Sequence, residues 1–274
     1  MEVGIGSYAF RWATGPSAPR ASSCAQMIDE TARLGCTLLQ IADNRELDAM
    51  DAGQLTALRA HAAHRDVRLQ VGFTGARTAL LRRYLDIAQR LEADVVRVVL
   101  HEDAEAVDDR SAARALGEVA ADYERAAIGI GIENHFLTTS PQMLKILRDV
   151  GEPGVGVIVD VANSIVCGEW PQETVTALAP WAIGVHLKDY DIEPDPDGVG
   201  ARIVGRPLGQ GRTRIDDLLR TLNELGRTDV GVVLEQWSPR LGSIEESIEL
   251  ETMWRTSAVE HARRFIGAAD EVPA

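Results

Sequence analysis

Eight short apolar runs recur along the 274-residue chain at intervals of roughly 25–50 residues, and this rhythm limits the fold more than any other feature. They are VGIGSYAF (3–10), TLLQIAD (37–43), VRLQVGF (67–73), VVRVVLH (95–101), IGIGIEN (128–134), VGVIVD (155–160), AIGVHLK (182–188) and VGVVLEQ (230–236). Such runs are short, and VGVIVD shows best the unbroken β-branched character of a parallel strand buried on both faces. Helical patterns with recognisable ends separate them. Ser23 with Gln26 reads as a capping box, Gly35 stops that helix, and Asp51 with Gln54 opens the next. Residues 76–92 space Leu80, Leu81, Tyr84, Leu85, Ala88 and Leu91 along one face, and 111–127 are rich in alanine and charge. Ser140-Pro141 reads as an N-cap followed by proline at the first helical position, with Gly151 after the end. Residues 171–179 and 214–225 give two more helices, and Ser243-x-x-Glu246 opens a last one reaching about 267. Eight alternations with no linker-like change of composition predict an α/β fold, a single (β/α)8 TIM barrel over 1–267 with a short tail at 268–274. A doubly wound open sheet ranks behind it, because the first strand-to-helix turn lacks GxGxxG.

Composition narrows the function. Apolar residues make up 45% of the chain, enough for a packed core. A net charge of −14 speaks against a nucleic-acid surface, which is normally basic. Cys24, Cys36 and Cys167 are scattered, as reduced thiols of a cytoplasmic protein would be, rather than paired in a disulfide frame. The segment MEVGIGSYAF has no basic stretch followed by an apolar run, so no secretory signal is expected, and no membrane span is visible. The expected partner is a small molecule, with no nucleic acid and no membrane; a homo-oligomer is compatible with the sequence.

In a barrel the active site forms at the carboxyl ends of the strands. Strand five ends in Glu133, with Asn134 and His135 next; strand six ends in Asp160; strand seven in His186, followed by Lys188 and Asp189; strand eight in Glu235, followed by Gln236 and Trp237. Any one of these acids could be an ordinary capping or salt-bridging residue. Four consecutive strands each delivering a metal-capable side chain to one rim are a different matter. Asp160, placed straight after an apolar run, is tolerable if a divalent cation neutralises it together with Glu133 and Glu235. Three carboxylates and one imidazole form an oxygen-rich set, which favours Mn²⁺, Mg²⁺ or Co²⁺ and admits Zn²⁺.

IENHF, VDVANS, GVHLKD, PLGQG and LEQW, in this order, resemble the xylose isomerase-like TIM-barrel superfamily over nearly the whole chain. The resemblance implies one divalent metal held by Glu133, Asp160, His186 and Glu235. GSYAFRWA and LQIADN resemble a subgroup containing 3-oxo sugar-acid decarboxylases. The ketohexose epimerases of the superfamily often carry histidine three residues after the strand-six aspartate; here that position is Asn163.

A small sugar, keto-sugar or sugar acid that chelates the metal would have its carbonyl polarised, so that an enediolate can form. The expectation is a metal-dependent isomerase/epimerase, as the broader activity of the superfamily, with Glu133 and Glu235 as the acid/base pair the resemblance implies and Lys188 as a further catalytic candidate. A 3-oxo sugar-acid decarboxylase uses the same electron sink and is the alternative. A keto-polyol dehydratase and a non-catalytic sugar-binding barrel rank lower. Candidate substrate contacts are Tyr8 and Trp12 as an apolar wall, Asp43, His135, Asn163, and Arg206 in the stretch GRPLGQGRTR (205–214). That stretch could cradle an anion with its backbone amides.

Overall fold

The computed structural model describes residues 1–102 and 105–269. Eight parallel strands close a barrel: β1 (Val3–Gly6), β2 (Leu38–Ala42), β3 (Arg68–Thr74), β4 (Val95–Val99), β5 (Gly129–Glu133), β6 (Val155–Asp160), β7 (Ala182–Leu187) and β8 (Gly231–Leu234). Each pairs with the next, and β8 pairs with β1. The chain therefore has the single (β/α)8 barrel that its alternating pattern predicts.

Helices pack outside through their apolar faces, and the main core lies between them and the strands, with residues such as Leu81, Leu116, Met143 and Leu222 fully buried. Their ends follow local chemistry. Ser23 accepts from Gln26 N and Asp51 from Gln54 N, as the two capping boxes require, and Gly35 takes the left-handed conformation after the first helix (φ 72°). One cap differs from expectation: Thr139, not Ser140, is the N-cap, because Gln142 reaches back to the Thr139 N–H (2.9 Å). Ser7–Phe10 leave the first strand as a 3-10 turn and continue into a short helix, Arg11–Thr14. The last helix runs to Ala269; residues 270–274 of the expected tail lie outside the described residues. Among the described residues, no helix is long and apolar enough to cross a membrane.

Two local departures from plain alternation set up the rim. The connection after β7 is not an irregular loop: it forms an antiparallel hairpin of Asp189–Pro194 with Ala201–Arg206. Between β6 and β7 the register slips by one residue, so that Val157 faces Ala182 but Ile158 faces Gly184. The extra residue, Ile183, fills the space above Gly129, Gly131 and Gly156. The slip brings His186, rather than Val185, level with Asp160.

The barrel interior is polar at mid-height. Gln40, Gln70, Arg97 and His186 lie within the strands at 1, 4, 2 and 0% exposure, and a contact between His186 on β7 and Gln40 on β2 crosses the lumen between strands that are not neighbours. Glycine makes the room: a Cβ on Gly72 would stand 2.9 Å from Arg97 Cδ, and one on Gly6 would stand 3.0 Å from Glu235 Cγ.

Candidate metal centre

Glu133, Asp160, His186 and Glu235 converge, each offering a ligand atom within 4.8 Å of the others, and all four are buried. Each is oriented by its surroundings. Asp160 Oδ1 accepts the backbone N–H groups of Ala162 and Asn163 (both 2.8 Å), which turns Oδ2 toward the cluster. Asn134 bridges β5 and β6, taking the Asp160 N–H at 2.7 Å and donating to its carbonyl at 2.9 Å. Glu133 receives Arg97 Nε on Oε2 and Asn163 Nδ2 on Oε1 at 2.8 Å. Lys188 Nζ lies 2.7 Å from Glu235 Oε2 and 2.8 Å from Asp160 Oδ2.

The cluster fits a divalent cation on two grounds. Among the described residues His186 Nδ1 has no hydrogen-bond partner, yet it faces Glu133 Oε2 and Glu235 Oε1 at 3.4 Å and Asp160 Oδ2 at 4.0 Å. Asp160 Oδ2 likewise has no partner with hydrogen-bond geometry; Lys188 approaches it as an ion-pair contact only. Buried polar atoms are normally satisfied, so orphan atoms sharing one small space point to a group that binds there. The donor set, three carboxylates and one imidazole, suits Mn²⁺, Mg²⁺, Co²⁺ or Zn²⁺.

Electrostatics agree. Burial pushes Asp160 above the usual carboxylate range, Lys188 opposes this, and the neighbouring carboxylates of Glu133 and Glu235 reinforce it. Burial also works against ionisation of Glu133, but Arg97 and His186 outweigh it and hold its carboxyl well below that range. Burial lowers His186, and Glu235 and Glu133 more than reverse the effect, so without a metal the acids draw a proton onto the ring. Lys188 behaves alike: burial opposes its charge, and Asp160 and Glu235 more than restore it.

A cavity of about 420 Å³ opens in front of this cluster, lined by Tyr8, Trp12, Glu133, His135, Asn163, Lys188 and Glu235 among others. Trp12 is fixed by its indole N–H to Ser238 O (3.0 Å) and by Glu251, which accepts its backbone N–H at 2.7 Å. Trp237 stands 5.2 Å from Lys188 Nζ. Burial lowers His135 to about 4, with Glu133 opposing and Arg97 and Lys188 assisting, so this ring is neutral at pH 7. Asn163 Oδ1 is buried and has no partner among the described residues, an open acceptor beside the cavity.

Two expected contacts sit elsewhere. Asp43 lines an adjoining cleft that shares Tyr8 and Arg11 with the cavity; it accepts Tyr8 Oη (3.1 Å) and Arg97 Nη1 (2.8 Å) from a left-handed backbone (φ 49°). Arg206 does not line the cavity: it stays on the hairpin, paired with Glu193 and 3.8 Å from Asp191. The glycine-rich stretch after it does cradle an anion, but one of the chain's own. Gly209 N, Gly211 N and Thr213 N all donate to the Asp189 carboxylate at 2.8–2.9 Å.

Arg97 is one of the residues that sequence reading missed. Its signal was present as a lone charge at the centre of VVRVV, where a residue pointing into the lumen must find acids.

A model of the xylose isomerase-like TIM barrel matches residues 28–258. The chain belongs to that family. Within it, the chain is 26% identical over 261 residues to the 3-oxo-isoapionate decarboxylase of Pectobacterium atrosepticum, covering 95% of this chain and 94% of that one. Its fold matches a D-psicose 3-epimerase crystallised with D-fructose (TM-score 0.74, 16% identity, 97% of this chain and 100% of that one). It also matches a xylose isomerase-like protein of Mycobacterium smegmatis in complex with magnesium (TM-score 0.68, 16% identity, 94% and 96%).

Proposed function

We propose that this xylose isomerase-like barrel is a divalent-metal-dependent decarboxylase of a 3-oxo sugar acid. The observation that carries the reading is the state of Glu133. Arg97 and His186 hold its carboxyl well below the usual carboxylate range, and Arg97 and Asn163 each occupy one of its oxygens, so it is a weak base. Epimerisation needs a base and an acid working on one carbon. Decarboxylation of a β-keto acid needs no base: the bond to the carboxylate breaks, CO₂ leaves, the electron pair moves to the keto oxygen, and a proton returns to the carbon. The similarity to the isoapionate decarboxylase along almost the full length supports the same choice.

Glu133, Asp160, His186 and Glu235 would hold the cation. When bound, it supplies Lewis-acid polarisation of the substrate's keto group. Lys188, kept protonated by Asp160 and Glu235 and facing the cavity, is the proton source for the carbon that loses CO₂. His135, Asn163, Tyr8 and Trp12 line the cavity; His135 and Asn163 Oδ1 would meet substrate hydroxyls, and Tyr8 and Trp12 would wall the sugar face. Isomerase/epimerase chemistry is the second reading, favoured by the presence of both Glu133 and Glu235 in the cavity lining.

The test is proton NMR in D₂O on metal-loaded enzyme, with a CO₂ assay, over a panel of 3-oxo sugar acids and ketoses. CO₂ release with one deuteron at the carbon that carried the carboxylate is the expected result. Deuterium entering an epimeric or recovered ketose without CO₂ would replace decarboxylation by epimerisation.

A further inference from the structure

Gln40 and Gln70 sit opposite each other in register on β2 and β3, buried at 1 and 4% exposure. Two uncharged amides in a barrel lumen need a reason, since each must find partners for its donors and acceptor. Their contacts form a line. Asp94, just before β4, accepts from Gln70 Nε2 (3.4 Å), Gln70 Oε1 accepts from Gln40 Nε2 (3.1 Å), and Gln40 Oε1 faces His186 Nε2 at 2.8 Å. Arg68, the nearby cation, is engaged by Asp94 on one amino group and by Glu2 on the other.

The direction of this line follows from one end. An ionised carboxylate only accepts, so Gln70 turns its NH₂ toward Asp94 and its oxygen toward Gln40. Gln40 then donates to Gln70 and is left with only an oxygen for His186. That oxygen requires a proton on Nε2. Nδ1, the atom facing Glu133, Asp160 and Glu235, is thereby the ring nitrogen that can be free of hydrogen.

We infer that Asp94, Gln70 and Gln40 form a relay through the barrel that fixes His186 as the Nε2–H tautomer and so presents Nδ1 to the cation. Gln40 and Gln70 are positioning residues: they touch neither cavity nor cation, and act through the imidazole. The inference rests on the cluster being a cation site, but not on which reaction follows. Outer partners of metal-binding histidines typically alter affinity by about 10–100-fold.

The experiment uses full-length protein labelled with ¹⁵N-histidine. Ring ¹⁵N shifts are read on the diamagnetic Zn²⁺-loaded form, and Mn²⁺ affinity is read by EPR of the free ion. Wild type is expected to show one protected ring N–H, on Nε2. Gln70→Met frees the Gln40 amide to turn and donate to the ring; it should remove the protected Nε2–H signal and weaken Mn²⁺ by about tenfold. Gln40→Glu combined with Gln70→Met should recover both readouts, because a carboxylate at 40 accepts whatever stands at 70. Asp94→Asn, at the half-exposed end, should shift the ring in the same direction by less. Wild-type shifts and affinity in both Gln70→Met and Asp94→Asn would overturn the relay, as would failure of the double variant to recover. None of these readouts uses substrate, so an absence of CO₂ release would count against the decarboxylase alone.

Discussion

The two sides of the barrel contribute opposite chemistry to one site. β5 to β8 present acids and an imidazole at or next to their carboxyl ends: Glu133, Asp160, His186 and Glu235. β2 to β4 present amides and a guanidinium from within the strands: Gln40, Gln70 and Arg97. The first set has the shape of a cation site. The second holds that shape, because Arg97 engages Glu133 and Gln40 engages His186 across the lumen. Ligating power and ligand orientation are thus assigned to different strands, and the comparison can be broken from either side.

The largest effect is expected from the ligating side. Asp160→Asn keeps one oxygen for the Ala162 and Asn163 N–H groups but removes the charge that faces the cluster. It should weaken Mn²⁺ and lower turnover by more than about 100-fold, beyond what loss of an outer partner costs; EPR titration and CO₂ release check it. Full activity in a variant shown to have lost this ligand would remove the metal centre from the chemistry.

Arg97→Met strikes the supporting side. It leaves Glu133 and Asp43 without their shared cation, in a site where Glu133 is 1% exposed. Losing one partner of a buried ion pair costs about 3–5 kcal/mol. The expected result in urea unfolding is a loss of that order, partly recovered by Mn²⁺, since a bound cation supplies charge to Glu133. A loss under about 1 kcal/mol would mean that the two sides are not coupled through this pair.

Two glycines separate inside from outside by a smaller step. Gly72→Ala places a methyl 2.9 Å from Arg97 Cδ and 3.0 Å from its carbonyl oxygen, and should cost about 1–3 kcal/mol. Gly117→Ala, in the middle of the helix Asp109–Arg125 with nothing within 4 Å, should stabilise by about 0.5–1 kcal/mol. Urea midpoints moving in the same direction would show that lumen space is not what reserves Gly72.

The same two sides differ in how plainly the sequence shows them. The strand-end acids stand out because each follows an apolar run, and a barrel collects strand ends on one rim; Glu133, Asp160, His186 and Glu235 could be read that way. Gln40, Gln70 and Arg97 sit inside apolar runs, where one polar letter does not reveal which face it takes or what lies across the lumen. His186 adds a subtler obstacle: it lies level with Asp160 only through the slip at Ile183, which no alternation of letters displays. Arg206 shows the converse. A basic residue on a long connection reads as a ligand contact, but in the folded chain the hairpin's own acids, Glu193 and Asp191, hold it.

Cys167 offers the mildest test of where the chemistry stops. It lies behind the cavity wall, its thiol donating to Phe136 O (3.0 Å) and His135 O (3.4 Å), and so backs His135 from outside both sets of strands. Burial raises its pKa, and Glu169 adds to that, so at pH 7 it is a thiol rather than a nucleophilic thiolate. A serine hydroxyl can donate to the same carbonyls. Cys167→Ser should therefore leave turnover within about twofold and stability within about 0.5 kcal/mol, the range of substitutions that touch no key feature. Slow alkylation of the wild-type thiol by iodoacetamide at pH 7 is expected alongside. A large loss of turnover with unchanged unfolding would move sulfur into the mechanism and require a third contributor beside the two sides of the barrel.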